Sequence, residues 1–205
     1  MRTPLEKALG LQEPETPSEA DALMLLALKG KCAGDTYYFN MDQPTFDEVM
    51  RGNENEDFYR FYTKQRAIGV EALKAETVRE LAACSGEELH EIVQCHNYDS
   101  GKWLIMQIIS HQKCEFATAL TIYWANQAYY HYTQYESLEE ASQDPKNFSR
   151  ESAMFLNKIE KRAKLKEFSQ TLPIPDRSDL SHFFDGKKPD YTKKPWNKIP
   201  VELQI

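Results

Sequence analysis

The sequence predicts an all-α protein: a compact multi-helix bundle over residues 1–170, then an irregular, proline-rich, basic C-terminal tail over residues 171–205. Three observations carry that reading. Apolar residues recur at helical spacings along most of the first 170 positions. Helix start and stop signals flank these segments. No convincing run of alternating strand residues and no internal repeat interrupts them.

Taken in order, the N-terminal stretch with Pro4, Pro14 and Pro17 reads as an arm or loop. Ser18 opens SEADALMLLALKG, with acids in the first turn and Lys29 and Gly30 at the close; its apolar content on most faces places it inside a helical assembly. Pro44 suits the first turn of a short helix ending near Gly52, where a missing amide hydrogen costs nothing. From Asp57, the residues Phe58, Phe61, Tyr62, Ile68, Val70, Leu73, Val78 and Leu81 fall at helical spacings, with Gly69 marking a bend or a close helix crossing. Ser85 and Glu88 form a capping-box pattern ahead of ELHEIVQ, and HNYDSG supplies the turn after it. KWLIMQIISH and EFATALTIYWANQAYYHY read as two further helices joined by HQKC. Ser149 caps RESAMFLNKIEKRAKLKEF, with Met154, Phe155, Ile159, Ala163 and Leu165 near one face. The tail is read as extended and wrapped over the body by Phe183, Phe184 and Trp196.

Composition bounds the function. An apolar fraction of 41% in 205 residues is enough for a buried core without staples. The longest apolar runs, Ala22 to Leu28 and Trp103 to Ile109, fall far short of the ~20 residues of a membrane span. Arg2 and Lys7 are followed by Glu6, Glu13 and Glu15 with no apolar stretch between, so no secretory signal and a cytoplasmic location are expected. In that compartment Cys32, Cys84, Cys95 and Cys114 are expected to be reduced and buried. Charge is uneven: residues 1–60 hold 12 acids and 6 bases, residues 61–156 hold 13 and 8, and residues 157–205 hold 7 and 11. An acidic body repels phosphate backbones and favours a basic partner, so no nucleic acid is expected.

The sites that chemistry suggests are few. Cys95, His96, His111 and Cys114 offer thiolates and imidazoles of the kind zinc prefers, or a cysteine nucleophile with a histidine base; this is the alternative reading, a small enzyme or metal-binding protein. Adjacent ligands such as Cys95 and His96 point about 100° apart on a helix, which favours core and caps, so neither a metal nor a cofactor is expected. No Walker A, GxGxxG, GxSxG or HExxH pattern is present, and no catalytic residue is assigned. Lys161, Arg162, Lys164, Lys166, Lys187, Lys188, Lys193 and Lys194 would suit phosphates, but docking of this basic tail onto the acidic body explains them equally well.

NYDSG, a short apolar helix, then CEFATALTIYW resembles the signature of a bacterial domain-of-unknown-function family, number 4274. The matching residues are Asn97, Asp99, Gly101, Cys114, Thr118, Ala119, Leu120 and Trp124; Tyr98, Ser100, Glu115 and Ala117 depart from it. The resemblance implies a helical core over about 85–132, in which Asn97, Asp99 and a left-handed Gly101 join two helices. Cys114, Thr118 and Ala119 would let helices approach, and Trp124 would anchor them. It also implies a setting near toxin systems, hence an immunity protein that binds and neutralises a cognate protein toxin with a basic surface. The expected binding surface is acidic and aromatic: Asp42, Asp47, Glu48, Glu54, Glu56 and Asp57, with Tyr37, Tyr38, Phe58 and Tyr59 as anchors.

Overall fold

Ten α-helices account for most of the described residues: α1 Glu19–Gly34, α2 Gln43–Arg51, α3 Glu56–Ile68, α4 Val70–Ala83, α5 Gly86–Gln94, α6 Trp103–Ser110, α7 Phe116–Ala125, α8 Ala128–His131, α9 Leu138–Gln143 and α10 Arg150–Lys164. This computed structural model describes residues 19–51, 56–96, 98, 101–176, 183 and 189–205, without the side chains of 19–21 and 57. The class is all-α; among the described residues there is no strand, only a parallel bridge between Glu115 and Ser169. The described residues divide into two compact units, one from residues up to 84 with 91–104, the other from 85–90 with 105–205.

In the first unit, α1 packs chiefly on α4. Lys29 of α1 fixes the pair by donating to Glu76 at 2.7 Å and Glu80 at 2.8 Å. Burial works against the Lys29 charge, but the two carboxylates outweigh it and raise its pKa. The core gathers Cys32, Ala33, Phe46, Met50, Phe61, Tyr62 and Leu73. α1 runs past Gly30, where it was expected to stop, because Leu104 packs directly onto that glycine. Gly69 ends one helix and starts another instead of bending a single one: its φ of 84° and ψ of 151° lie outside helical space. Gly101 is not left-handed; a Cβ there would stand 2.5 Å from the backbone of Gly34, so close approach of two chain segments is what demands glycine.

In the second unit, α10 packs on α9, α7 and α8. Every residue of α7 from Ala117 to Trp124 is buried, as expected of a helix apolar on nearly all faces. The capping box ahead of α5 is formed in both directions, Glu88 N–H to Ser85 Oγ at 3.1 Å and Ser85 N–H to Glu88 Oε2 at 2.6 Å. Helix α9 was not expected, although Ser137 caps it by accepting the Glu140 N–H at 3.1 Å, while the Glu140 carboxylate takes the Glu136 N–H at 2.9 Å. Ser149 caps α10 with backbone only, and Met154 and Leu165 are exposed, so the buried stripe is Ala153, Phe155, Leu156, Ile159, Glu160 and Ala163. α10 closes in a Schellman turn, with Lys166 at φ 56°, its N–H on Ala163 O and the Glu167 N–H on Arg162 O. Residues 196–198 and 201–203 form 3-10 turns; Trp196 stacks on Tyr129 at 4.3 Å, and the Trp124 indole donates to Leu203 O at 3.2 Å. Lys194 and Lys198 both donate to Glu136. Phe184 lies outside the described residues. All four cysteines are free; Cys32, Cys84 and Cys114 are buried, whereas Cys95 is exposed.

Candidate functional site

The loop between α1 and α2 carries the aromatic pair of the expected surface. Asp35 starts it with an Asx turn, its Oδ1 accepting the Tyr37 N–H at 3.1 Å. Asp42 ends it as the cap of α2, accepting both the N–H and the hydroxyl of Thr45 at 2.9 Å. Those two bonds hold the Asp42 carboxyl below its ordinary range. Arg66 of α3 clamps the loop from behind: it donates to the carbonyls of Tyr38 and Met41, and its guanidinium lies 4.3 Å over the Phe46 ring.

The four aromatics take different places. Tyr38 packs on Tyr62 at 4.6 Å, Phe58 on Tyr62 at 6.4 Å and Tyr59 on Phe46 at 5.8 Å, all against the first unit's core. Tyr37 is the one displayed, 61% exposed, with its ring edge-on to Tyr38 at 5.2 Å. Among the acids, Asp47 accepts from Gln43 and Tyr59, while Glu48 and Glu56 are exposed, Glu56 with a surface pair to Arg60 at 3.4 Å. Glu54 and the Asp57 side chain lie outside the described residues. Tyr37 and Asp42 thus lie on the clamped loop, and Asp47 and Glu48 on the helix it enters.

The cysteine–histidine set is split, with Cys95 and His96 in the first unit and His111 and Cys114 in the second. Burial pushes the Cys114 thiol up to about 12, and burial with the Glu91 charge raises Cys95. The thiolate is the nucleophile and the metal ligand, so thiols held in the protonated form are chemically quiet. Burial, with Lys102 and Lys31, depresses His96 to about 4 and keeps its ring neutral. Among the described residues, no three His, Cys, Asp or Glu side chains are grouped to hold a metal ion.

Two buried carboxyls went unnoticed in the sequence. Glu160, on the inner face of α10, accepts both the Tyr123 hydroxyl at 2.7 Å and the Tyr132 hydroxyl at 2.5 Å on one oxygen. Burial raises its pKa, against those two donors and Lys164. Glu115 receives the Thr171 N–H at 2.8 Å, the Thr171 hydroxyl at 2.9 Å and the Leu172 N–H at 3.3 Å, which ties the segment after α10 to the start of α7. Burial opposes the Glu115 charge, but hydrogen bonds from Ser169, Thr171 and Leu172 prevail and hold its carboxyl low. The available signal was positional: Glu160 falls on the apolar stripe of its helix, between Leu156 and Ala163.

The fold and these geometries define an all-α protein with buried carboxyl networks at Glu115 and Glu160. Residues 85–163 match the model of a family described as "Domain of unknown function (DUF4274)", which supports the family that the NYDSG and CEFATALTIYW segments resemble and carries its reach through α10. No curated protein and no solved structure matches the chain. No helix among the described residues is long and apolar enough to cross a membrane.

Proposed function

We propose that the chain is an immunity-type binding protein, which neutralises a cognate toxin by covering a cationic surface of it, of the kind a nuclease presents. The observation that carries this reading is the pairing of one displayed aromatic, Tyr37, with the outward carboxylates of α2 on a loop that Arg66 holds in place. A rigid aromatic anchor supplies contact area at small entropic cost, and flanking charge speeds encounter and fixes orientation. The basic excess of the C-terminal region does not call for a phosphate backbone, because several of its cations are engaged within the chain. Lys194 and Lys198 are taken up by Glu136, and Arg162 by the carbonyls of Ile109, His111 and Glu167.

The test is capture from the native cells with the full chain as bait, followed by co-expression. The expected result is one dominant basic protein, released by high salt, missing from a Tyr37→Ala, Glu48→Lys bait and toxic when expressed without the chain. A captured protein that binds the double variant equally well, or that is harmless alone, overturns the reading.

A further inference from the structure

We propose that a cleft on the second unit binds a small zwitterion with an apolar side chain, specifically a free α-amino acid with an aromatic side chain. The cleft has a volume of about 360 Å³ and is lined by Phe116, Ala163, Lys166, Phe168, Gln170 and Glu202. That is near the small end of the range for ligand pockets, which suits a ligand of roughly a dozen heavy atoms.

Its floor is apolar and fixed. The Phe116 and Phe168 rings meet at 6.3 Å with a 51° tilt; Phe168 is buried, and the half-buried Phe116 ring supplies the aromatic surface on which a third ring packs. Phe168 is also held by the Arg162 guanidinium, 4.3 Å from the ring centre. The Phe116 N–H donates to Ser169 O at 2.8 Å, and Glu115 grips Thr171 and Leu172, so the two walls are pinned to one another by a buried carboxylate. That floor needs little ordering when a ligand enters, whereas the exposed Lys166, Gln170 and Glu202 side chains are ordered by it.

Two opposite charges line this floor, and they are not spent on each other. Neither the Lys166 ammonium nor the Glu202 carboxylate takes part in a hydrogen bond or ion pair among the described residues. An α-carboxylate toward Lys166 and an α-ammonium toward Glu202 satisfy both, with the Gln170 amide able to donate or accept beside them. An interior stretch of peptide has neither charge, which is why a free amino acid is the fitting class. The backbone adds an independent indication. Lys166 sits at φ 56° in the Schellman turn of α10, the position where glycine is favoured, so a side chain is kept there against local preference. This site shares no residue with the surface proposed for protein binding and does not depend on it.

The experiment is a titration of the uniformly ¹⁵N-labelled full chain with L-phenylalanine, phenethylamine and 3-phenylpropionate, followed by amide shifts. L-Phenylalanine is expected to saturate shifts at Phe116, Ala163, Lys166, Phe168 and Gln170, with a Kd of about 0.1–5 mM. The amine and the acid, each lacking one charge, are expected to bind at least about tenfold more weakly. Lys166→Gly, which suits the backbone, is expected to lose the discrimination between phenylalanine and the amine. Glu202→Gln is expected to lose that between phenylalanine and the acid. The proposal is overturned by an absence of saturable shifts with phenylalanine, by equal binding of 3-phenylpropionate, or by unchanged affinity in a folded Lys166→Gly chain.

Discussion

The phenol ring of Tyr98 stands edge-on to the imidazole of His96, with ring centres 5.3 Å apart, and both side chains keep their polar atoms buried. Neither the imidazole nitrogens nor the Tyr98 hydroxyl has a hydrogen-bond partner among the described residues. With the folded pKa at about 4 and an ordinary value of 6.5, protonation of His96 favours the unfolded chain. Its contribution to stability is complete above pH ~6.5 and is lost as pH falls toward ~4, on the order of 2 kcal/mol by pH 5. Urea midpoints at pH 7 and pH 5 should therefore differ more in the wild type than in His96→Leu, which keeps the volume and removes the titration. An equal shift in both proteins would mean that acid destabilisation arises elsewhere.

Glu160 works in the opposite direction on the pH axis. Its folded pKa is raised, so its favourable contribution is complete below the ordinary carboxylate range and is lost as pH rises through the folded value. Glu160→Gln keeps an oxygen for the Tyr123 and Tyr132 hydroxyls and removes the buried charge, so stability at pH 8 should be unchanged or higher. Glu160→Leu leaves two buried hydroxyls without an acceptor and should cost about 2–5 kcal/mol. Chemical denaturation of both variants checks the ranking; a glutamine as damaging as the leucine would show that the ionised carboxylate is needed.

The sequence was most readable where one helix face alone decides the outcome. The capping box at Ser85 and Glu88 needs no tertiary information and is as expected; the helix read over EFATALTIYWANQAYYHY is there from Phe116 but stops at Ala125, where a left-handed Gln127 separates it from α8. What escaped depends on partners distant in sequence. A glutamate in a basic amphipathic helix looks solvated until Tyr123 and Tyr132 are placed against it. Gly101 looks like a turn glycine until Gly34 is brought to its backbone. Helix α9 offered its capping motif but buries only Leu138 and Ala141, too little apolar surface for periodicity to register. Of the surface residues, charge was legible and orientation was not: Tyr37 and Tyr38 are neighbours in sequence, yet one is displayed and the other packs on Tyr62.

The C-terminal segment should be held by its aromatic more than by its lysines. Trp196 stacks on Tyr129 and lies 6.4 Å from Trp124, whereas Lys194 and Lys198 meet Glu136 at the surface. Trp196→Ala should lower stability by about 2–3 kcal/mol, since it removes a large half-buried ring and its stacking. Glu136→Gln should leave the melting temperature nearly unchanged at 0.5 M salt and show any effect only at low ionic strength, as exposed pairs are screened. Thermal melts at both salt concentrations distinguish the two contributions; a larger loss from Glu136→Gln than from Trp196→Ala would reverse this assignment.

Arg66 gives the displayed Tyr37 its fixed frame, and the two residues should be separable by what they do to stability and to binding. Arg66→Ala leaves the Tyr38 and Met41 carbonyls without their donor and uncovers Phe46, which should cost about 1–3 kcal/mol of stability. The loop would then have to be ordered on binding, so the captured partner should dissociate faster while its association rate holds or rises slightly, the surface having become more acidic. Tyr37→Ala should change stability by less than about 0.5 kcal/mol, because the ring is mostly exposed, yet speed dissociation at least as much. Glu48→Lys should lower the association rate and make its loss with salt shallower. Surface plasmon resonance with the partner recovered in the capture experiment measures all three. If Tyr37→Ala leaves dissociation unchanged while Arg66→Ala only lowers stability, the clamp serves the fold alone and the contact surface lies on another face.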